Sequence, residues 1–140
     1  MDPMLILNTW LIKKYARQDL ISSGFNSEDF LINRMKHLFN EIFKDKKILI
    51  TGSNGFIGGA LVRFLINATN ANVIGISKGE CRTRSNPRFQ YEDIDISHKE
   101  AVKFIVNQTQ PDVIVHCAAI SQVDECEKYP EKCSKINIEG

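Results

Sequence analysis

Ile48-Leu49-Ile50-Thr51-Gly52-Ser53-Asn54-Gly55-Phe56-Ile57-Gly58 is an apolar run that enters three spaced glycines and then a helical segment carrying Leu61, Phe64 and Leu65. Strand, glycine turn and helix in that order form a phosphate cradle for steric and electrostatic reasons. Gly52 permits the tight turn off the strand, Gly55 lets the backbone approach a pyrophosphate with no Cβ in the way, and Gly58 lets the helix pack closely. The first turn of the helix then offers unsatisfied N–H groups to an anion. The loop residues Gly52, Asn54, Gly55, Phe56, Ile57 and Gly58 are therefore expected to bind a dinucleotide.

Outward from this loop, short β-branched runs alternate with helical segments, the pattern of a parallel sheet wrapped by helices. Strands are predicted at Lys47 to Thr51, Asn72 to Ile76, Arg88 to Glu92 and Asp112 to Cys117, in the order 3-2-1-4, with helices at Gly55 to Asn67 and Ser97 to Asn107 and a further one opened by Pro130. Residues 1–45 read differently, as a helical extension of two helices, the clearer one starting at Ser27 and ending near Lys44 with Phe30, Met35, Leu38, Phe39, Ile42 and Phe43 on an apolar stripe. Residues 46–140 then form an incomplete, doubly wound Rossmann-type α/β domain. Its fourth strand, with Val113, Ile114 and Val115, is apolar on both faces and is expected at an edge open to self-association.

Composition narrows the function. A net charge of +1 with 25% charged residues gives no single-sign field to recruit nucleic acid or an anionic membrane. Met4 to Ile12 is broken by Asn8 and Thr9 and lacks a basic flank, so neither a signal peptide nor a membrane span is expected. Cys81, Cys117, Cys126 and Cys133 form no C-x-x-C pair, which argues against zinc and against a disulfide framework and points to the cytoplasm. None of the four is expected to be a nucleophile, and Cys126 and Cys133 are expected to be partly exposed on one helix.

The adenosine ribose should meet the end of the second strand about 20 residues past the glycines, where a carboxylate would accept from the 2′-hydroxyl. That position is Ser77, followed by Lys78, Arg82 and Arg84, a basic cluster suited to a 2′-phosphate. NADP is therefore expected ahead of NAD.

The motif Thr51-Gly52-x-x-Gly55-x-x-Gly58 with Phe56-Ile57 resembles the extended short-chain dehydrogenase/reductase superfamily, the NAD-dependent epimerases and dehydratases of nucleotide sugars. Pro111-Asp112-Val113-Ile114-Val115-His116-Cys117-Ala118-Ala119, with Val123-Asp124-x-x-Glu127 and Pro130, looks like its dTDP-4-dehydrorhamnose reductase branch. The resemblance implies that Cys117, Ala118 and Ala119 lie along the cofactor, that Asn137 lies beneath the nicotinamide side, and that Asp95 and Ile96 contact the adenine, with Asp93 a rival. It gives His116 a place beside the cofactor and no catalytic role. Catalysis in the superfamily uses a Tyr-x-x-x-Lys pair, and here the fourth residue after Tyr15, Tyr91 and Tyr129 is Asp19, Asp95 and Cys133. No catalytic residue is assigned. The implied function is the cofactor-holding portion of an enzyme that transfers hydride to a 4-keto sugar nucleotide when complete. A non-catalytic regulatory or scaffolding protein that binds a dinucleotide is the alternative.

Overall fold

The structure, a computed structural model, describes residues 27–139. The first predicted helix, around Trp10, lies outside the described residues. The elements run α1 (Ser27–Phe43), β1 (Lys47–Thr51), α2 (Phe56–Ala68), β2 (Asn72–Ser77), β3 (Phe89–Asp93), α3 (Lys99–Thr109), β4 (Val113–His116), α4 (Val123–Lys128) and α5 (Pro130–Asn137). The four strands form a parallel sheet in the order β3-β2-β1-β4, the Rossmann arrangement expected from the alternation of strands and helices.

β1 is buried from Ile48 to Thr51 because its neighbours β2 and β4 take both its edges and helices cover both its faces. Alternate side chains feed two cores. Ile48 and Ile50 join Val62, Leu65, Ile66, Ala71 and Val73 under α2. Leu49 joins Ile74, Ile76, Ile96 and Ile105 on the opposite face. α1 adds to the first core through Phe43, and its Phe39 ring meets Phe64 edge-on at 5.3 Å. Arg88 fastens the end of α2, donating to Ile66 O at 2.6 Å and also to Thr69 O.

Several boundaries move by one or two residues: α2 runs Phe56–Ala68, β2 extends to Ser77, β3 runs Phe89–Asp93, α3 runs Lys99–Thr109, and β4 shortens to Val113–His116. Where one helix was expected after β4 there are two, α4 and α5. Their break falls at Tyr129, because the residue before a proline is pushed out of helical geometry.

β4 pairs with β1 on one side, has no partner strand on the other among the described residues, and leaves Ile114 52% exposed. No helix among the described residues is long and apolar enough to cross a membrane.

Ile50 is 0% exposed on the central strand, so Ile50→Ala leaves a cavity that neighbours on three sides cannot close. The expected loss is about 2–5 kcal/mol in urea unfolding. A loss under about 1 kcal/mol would contradict the central position of β1.

Candidate functional site

The glycine loop is built around its own backbone. Gly52 turns with φ +67°, and Gly55 N donates to Gly52 O at 2.8 Å. A Cβ on Gly52 would lie 2.8 Å from the backbone N and Cα of Ala118, so the turn rests directly on the chain leaving β4. A Cβ on Gly58 would run into the carbonyl of Gly52, 2.8 Å from its carbon. Gly58 thus seats α2 on the loop itself. Gly55 is the exposed glycine of the three, and its added Cβ would meet only Gly52 O, at 3.1 Å. It is also the N-cap of α2, with no side-chain cap and no acidic residue in the first turn, which leaves the amides of that turn free for an anion.

Thr51 clamps this loop to β4. Its Oγ1 accepts from Cys117 N and Ala118 N, both at 3.1 Å, and lies 2.8 Å from His116 Nδ1. With two amides donating to it, the hydroxyl can give its own proton to Nδ1 in the tautomer that carries the ring proton on Nε2. His116 is a fastener of the strand ends, with its ring otherwise exposed.

Beside the loop, at the carboxyl ends of the strands, a groove of about 240 Å³ is lined by Gly52, Gly55, Ser77, Lys78, Ile94, Asp95, Ile96, Cys117, Ala118, Ala119, Ile120 and Ile136. Nine of the fourteen residues expected at the cofactor are here. Ser77 ends β2, and Lys78 reaches Asp95 Oδ2 at 3.4 Å with its side chain 80% exposed. Asp95 also accepts from Ser97 N at 3.0 Å, and this amide, more than Lys78, holds its carboxyl below the usual carboxylate range against the opposing effect of burial. Its rival Asp93 is occupied elsewhere, accepting from Gly79 N at 2.8 Å. Burial pushes the Cys117 thiol up, which suits an inert wall residue better than a nucleophile.

The other five expected residues do not line the groove. Gly58 is buried beneath the loop, and Phe56 and Ile57 are 77% and 70% exposed. Asn54 spends its amide on the β2–β3 loop, donating to Glu80 O at 2.8 Å and accepting from Arg82 N at 3.0 Å. Asn137 bonds Ile120 through both N (2.8 Å) and O (3.0 Å), so it braces the groove wall from the side.

Sequence reasoning missed the apolar wall of Ile94, Ile120 and Ile136. Ile94 and Ile120 sit in loops and Ile136 in a short helix, where no periodicity marks them.

The cysteine reading needs correction. Cys126 and Cys133 form a disulfide with Cα atoms 5.4 Å apart, and Cys133 is buried at 6% exposure. The break at Tyr129 folds α5 back on α4 and brings together two residues seven apart, a proximity that helical spacing on one continuous helix would not give. Cys81 and Cys117 are free.

A larger cavity, about 350 Å³, lies at the opposite ends of the strands beside Lys47, Asn72, Arg88 and Phe89. Its two cations are committed to backbone carbonyls, Lys47 to Thr109 O at 3.0 Å and Arg88 to the end of α2. The smaller groove, lined by Gly55 at the uncapped start of α2, is the better candidate.

Sheet order, glycine loop and groove together define a Rossmann-type nucleotide-binding unit. Residues 48–140 match the NAD dependent epimerase/dehydratase family, and the chain belongs to it. It is 40% identical over 101 residues to dTDP-glucose 4,6-dehydratase of Haemophilus influenzae, covering 66% of this chain and 30% of that enzyme. An epimerase of Methanothermobacter thermautotrophicus superposes with a TM-score of 0.66 at 27% identity, over 75% of this chain and 32% of the other. A short chain dehydrogenase of Leptospira borgpetersenii with bound NAD+ gives 0.61 at 28% identity, over 72% and 43%. The chain therefore spans less than half the length of each of these relatives.

Thr51 is 5% exposed, so Thr51→Val strands the Ala118 amide without an acceptor. A destabilisation of about 1–3 kcal/mol is expected in urea unfolding, with Thr51→Ser within about 0.5 kcal/mol of wild type. Equal stability of all three proteins would remove the clamp from the account.

Proposed function

We propose that this chain is the cofactor-holding portion of a nucleotide-sugar enzyme, binding NADP(H) ahead of NAD(H) in the groove beside the glycine loop. The single observation that carries the reading is the uncapped N-terminus of α2, open at Gly55 and aimed where the strands end. The residues fit a dinucleotide along the groove. Gly55 and the amides of Phe56, Ile57 and Gly58 take the pyrophosphate; Ser77 and Lys78 flank the adenosine ribose; Asp95 and Ile96 take the adenine. Cys117, Ala118 and Ala119 run toward the nicotinamide. The bound nicotinamide would supply hydride exchange with a sugar carbonyl.

The preference for the 2′-phosphate rests on charge. Ser77 presents no carboxylate to repel it, and Lys78, Arg82 and Arg84 are exposed. Lys78 gives up little by leaving Asp95, since an ion pair this exposed contributes at most about 1 kcal/mol.

The substrate we infer is a 4-keto sugar nucleotide. The reductase resemblance of residues 111–119 and the dehydratase relative both concern dTDP-linked sugars, and the name of the latter puts its chemistry at sugar positions 4 and 6. The general acid and its lysine would come from outside these 140 residues, so this chain alone is expected to bind cofactor without turnover.

Titration of the chain with NADPH and NADH tests the reading. NADPH should bind at least about tenfold more tightly, the effect of one charge-assisted bond of about 1.5 kcal/mol. Gly55→Val should abolish binding of both by filling the pyrophosphate's place. Unchanged affinity in Gly55→Val would remove the loop from the site, and equal affinity for the two cofactors would remove the 2′-phosphate preference.

A further inference from the structure

The start of the β2–β3 connection, residues 78–82, carries Lys78 and Arg82, which the dinucleotide reading sets beside the ribose, yet among the described residues no backbone–backbone hydrogen bond involves it. Gly79 within it takes φ +84°. Its position depends on side chains reaching in from elsewhere. Asn54, in the middle of the phosphate loop, donates to Glu80 O at 2.8 Å and to Tyr91 Oη at 3.0 Å and accepts from Arg82 N at 3.0 Å. Tyr91, on β3, is within hydrogen-bonding reach of Ser77 O at 2.8 Å and of Gly79 O, and its one proton can serve either carbonyl. Asp93, two residues on, accepts from Gly79 N at 2.8 Å.

We propose that Asn54 and Tyr91 are positioning residues that lock the 78–82 loop to the phosphate loop, so that the wall reading the ribose 2′ position moves as one body with the pyrophosphate cradle. The proposal rests on the dinucleotide reading of the groove given above. Its physical content is a division of labour. Neither side chain lines the groove, and neither offers charge to a ligand. Asn54 spans 26 residues of sequence to reach Glu80 and 28 to reach Arg82. It fixes the backbone on either side of Cys81, and with it the directions from which Lys78 and Arg82 approach. A phenol keeps its proton at neutral pH, and burial chiefly pushes the Tyr91 pKa further up, so the hydroxyl remains a donor. Without these ties, a loop lacking backbone bonds would sample many arrangements, and a 2′-phosphate would have to order it on binding.

Two variants test this on the full chain. Tyr91→Phe removes one hydroxyl and keeps the ring, and Asn54→Ala removes the amide; both are read by NADPH and NADH titration and by amide hydrogen exchange. The NADPH-to-NADH affinity ratio is expected to fall at least fivefold in each variant, and exchange at the Arg82 amide to rise at least tenfold in Asn54→Ala, while the β1 amides stay as slow as in wild type. A merely structural role would weaken both cofactors by one factor and leave the ratio unchanged, which would overturn the proposal.

If wild type binds NADPH and NADH equally, the 2′-phosphate reading fails by itself. The positioning proposal is then decided by exchange with NADP+ bound. Slowing of residues 78–82 by the cofactor in wild type, lost in both variants, supports it. Slowing that persists in the variants, or none in wild type, refutes it.

Discussion

The backbone contact of Gly52 with Ala118 is the constraint on which the site depends. Two chain segments leave adjacent parallel strands, β1 and β4, and cross within a distance that no side chain at residue 52 would allow. The Thr51 hydroxyl holds that crossing by accepting both amides of the β4 exit. Gly58 then presses α2 onto the same turn from the other side. One consequence is geometric: the free amides of the helix and the Cys117–Ala119 wall share one rigid frame. A second is energetic, since the turn takes its order from β1, whose residues from Ile48 onward are buried, and needs no ligand to shape it.

The groove divides into parts with different chemistry. The helix terminus supplies partial positive charge through backbone groups, the Ser77–Lys78 end supplies a hydroxyl and an exposed cation, and Ile94, Ile120 and Ile136 add apolar lining. Polar side chains that look like ligands from sequence are instead the fasteners between these parts. Asn54 ties the loop to the β2–β3 connection, His116 backs the Thr51 clamp, and Asn137 holds Ile120. The Cys126–Cys133 bond adds a covalent tie between α4 and α5, with Cys133 three residues before Ile136 of the groove lining.

The strands were legible because parallel strands write continuous apolar runs, such as Ile48-Leu49-Ile50, which is buried on both faces, and Val113-Ile114-Val115, although there Ile114 is left 52% exposed. The strand order and the glycine turn followed from the same reading and from the steric demand at Gly52, visible as φ +67°. Helix ends were less legible, since His98 and Gly55 cap without any side-chain bond and so leave no signature. The split between α4 and α5 had a local signal, Pro130, but its consequence did not: whether a proline opens a new helix at an angle or extends the old one is set by what the chain packs against. The disulfide was illegible for that reason, and so was the role of Asn54, whose partners lie 24 to 37 residues away.

A dinucleotide lying across the carboxyl ends of the strands with its pyrophosphate on α2, as proposed, is read directly by amide chemical shifts of the isotope-labelled chain titrated with NADP+. The prediction is that the largest shifts fall at Gly55, Phe56, Ile57 and Gly58, with Ala118 and Ala119 following at the same concentration. Shifts confined to Lys47, Asn72 and Arg88, around the larger cavity at the opposite ends of the strands, would contradict it.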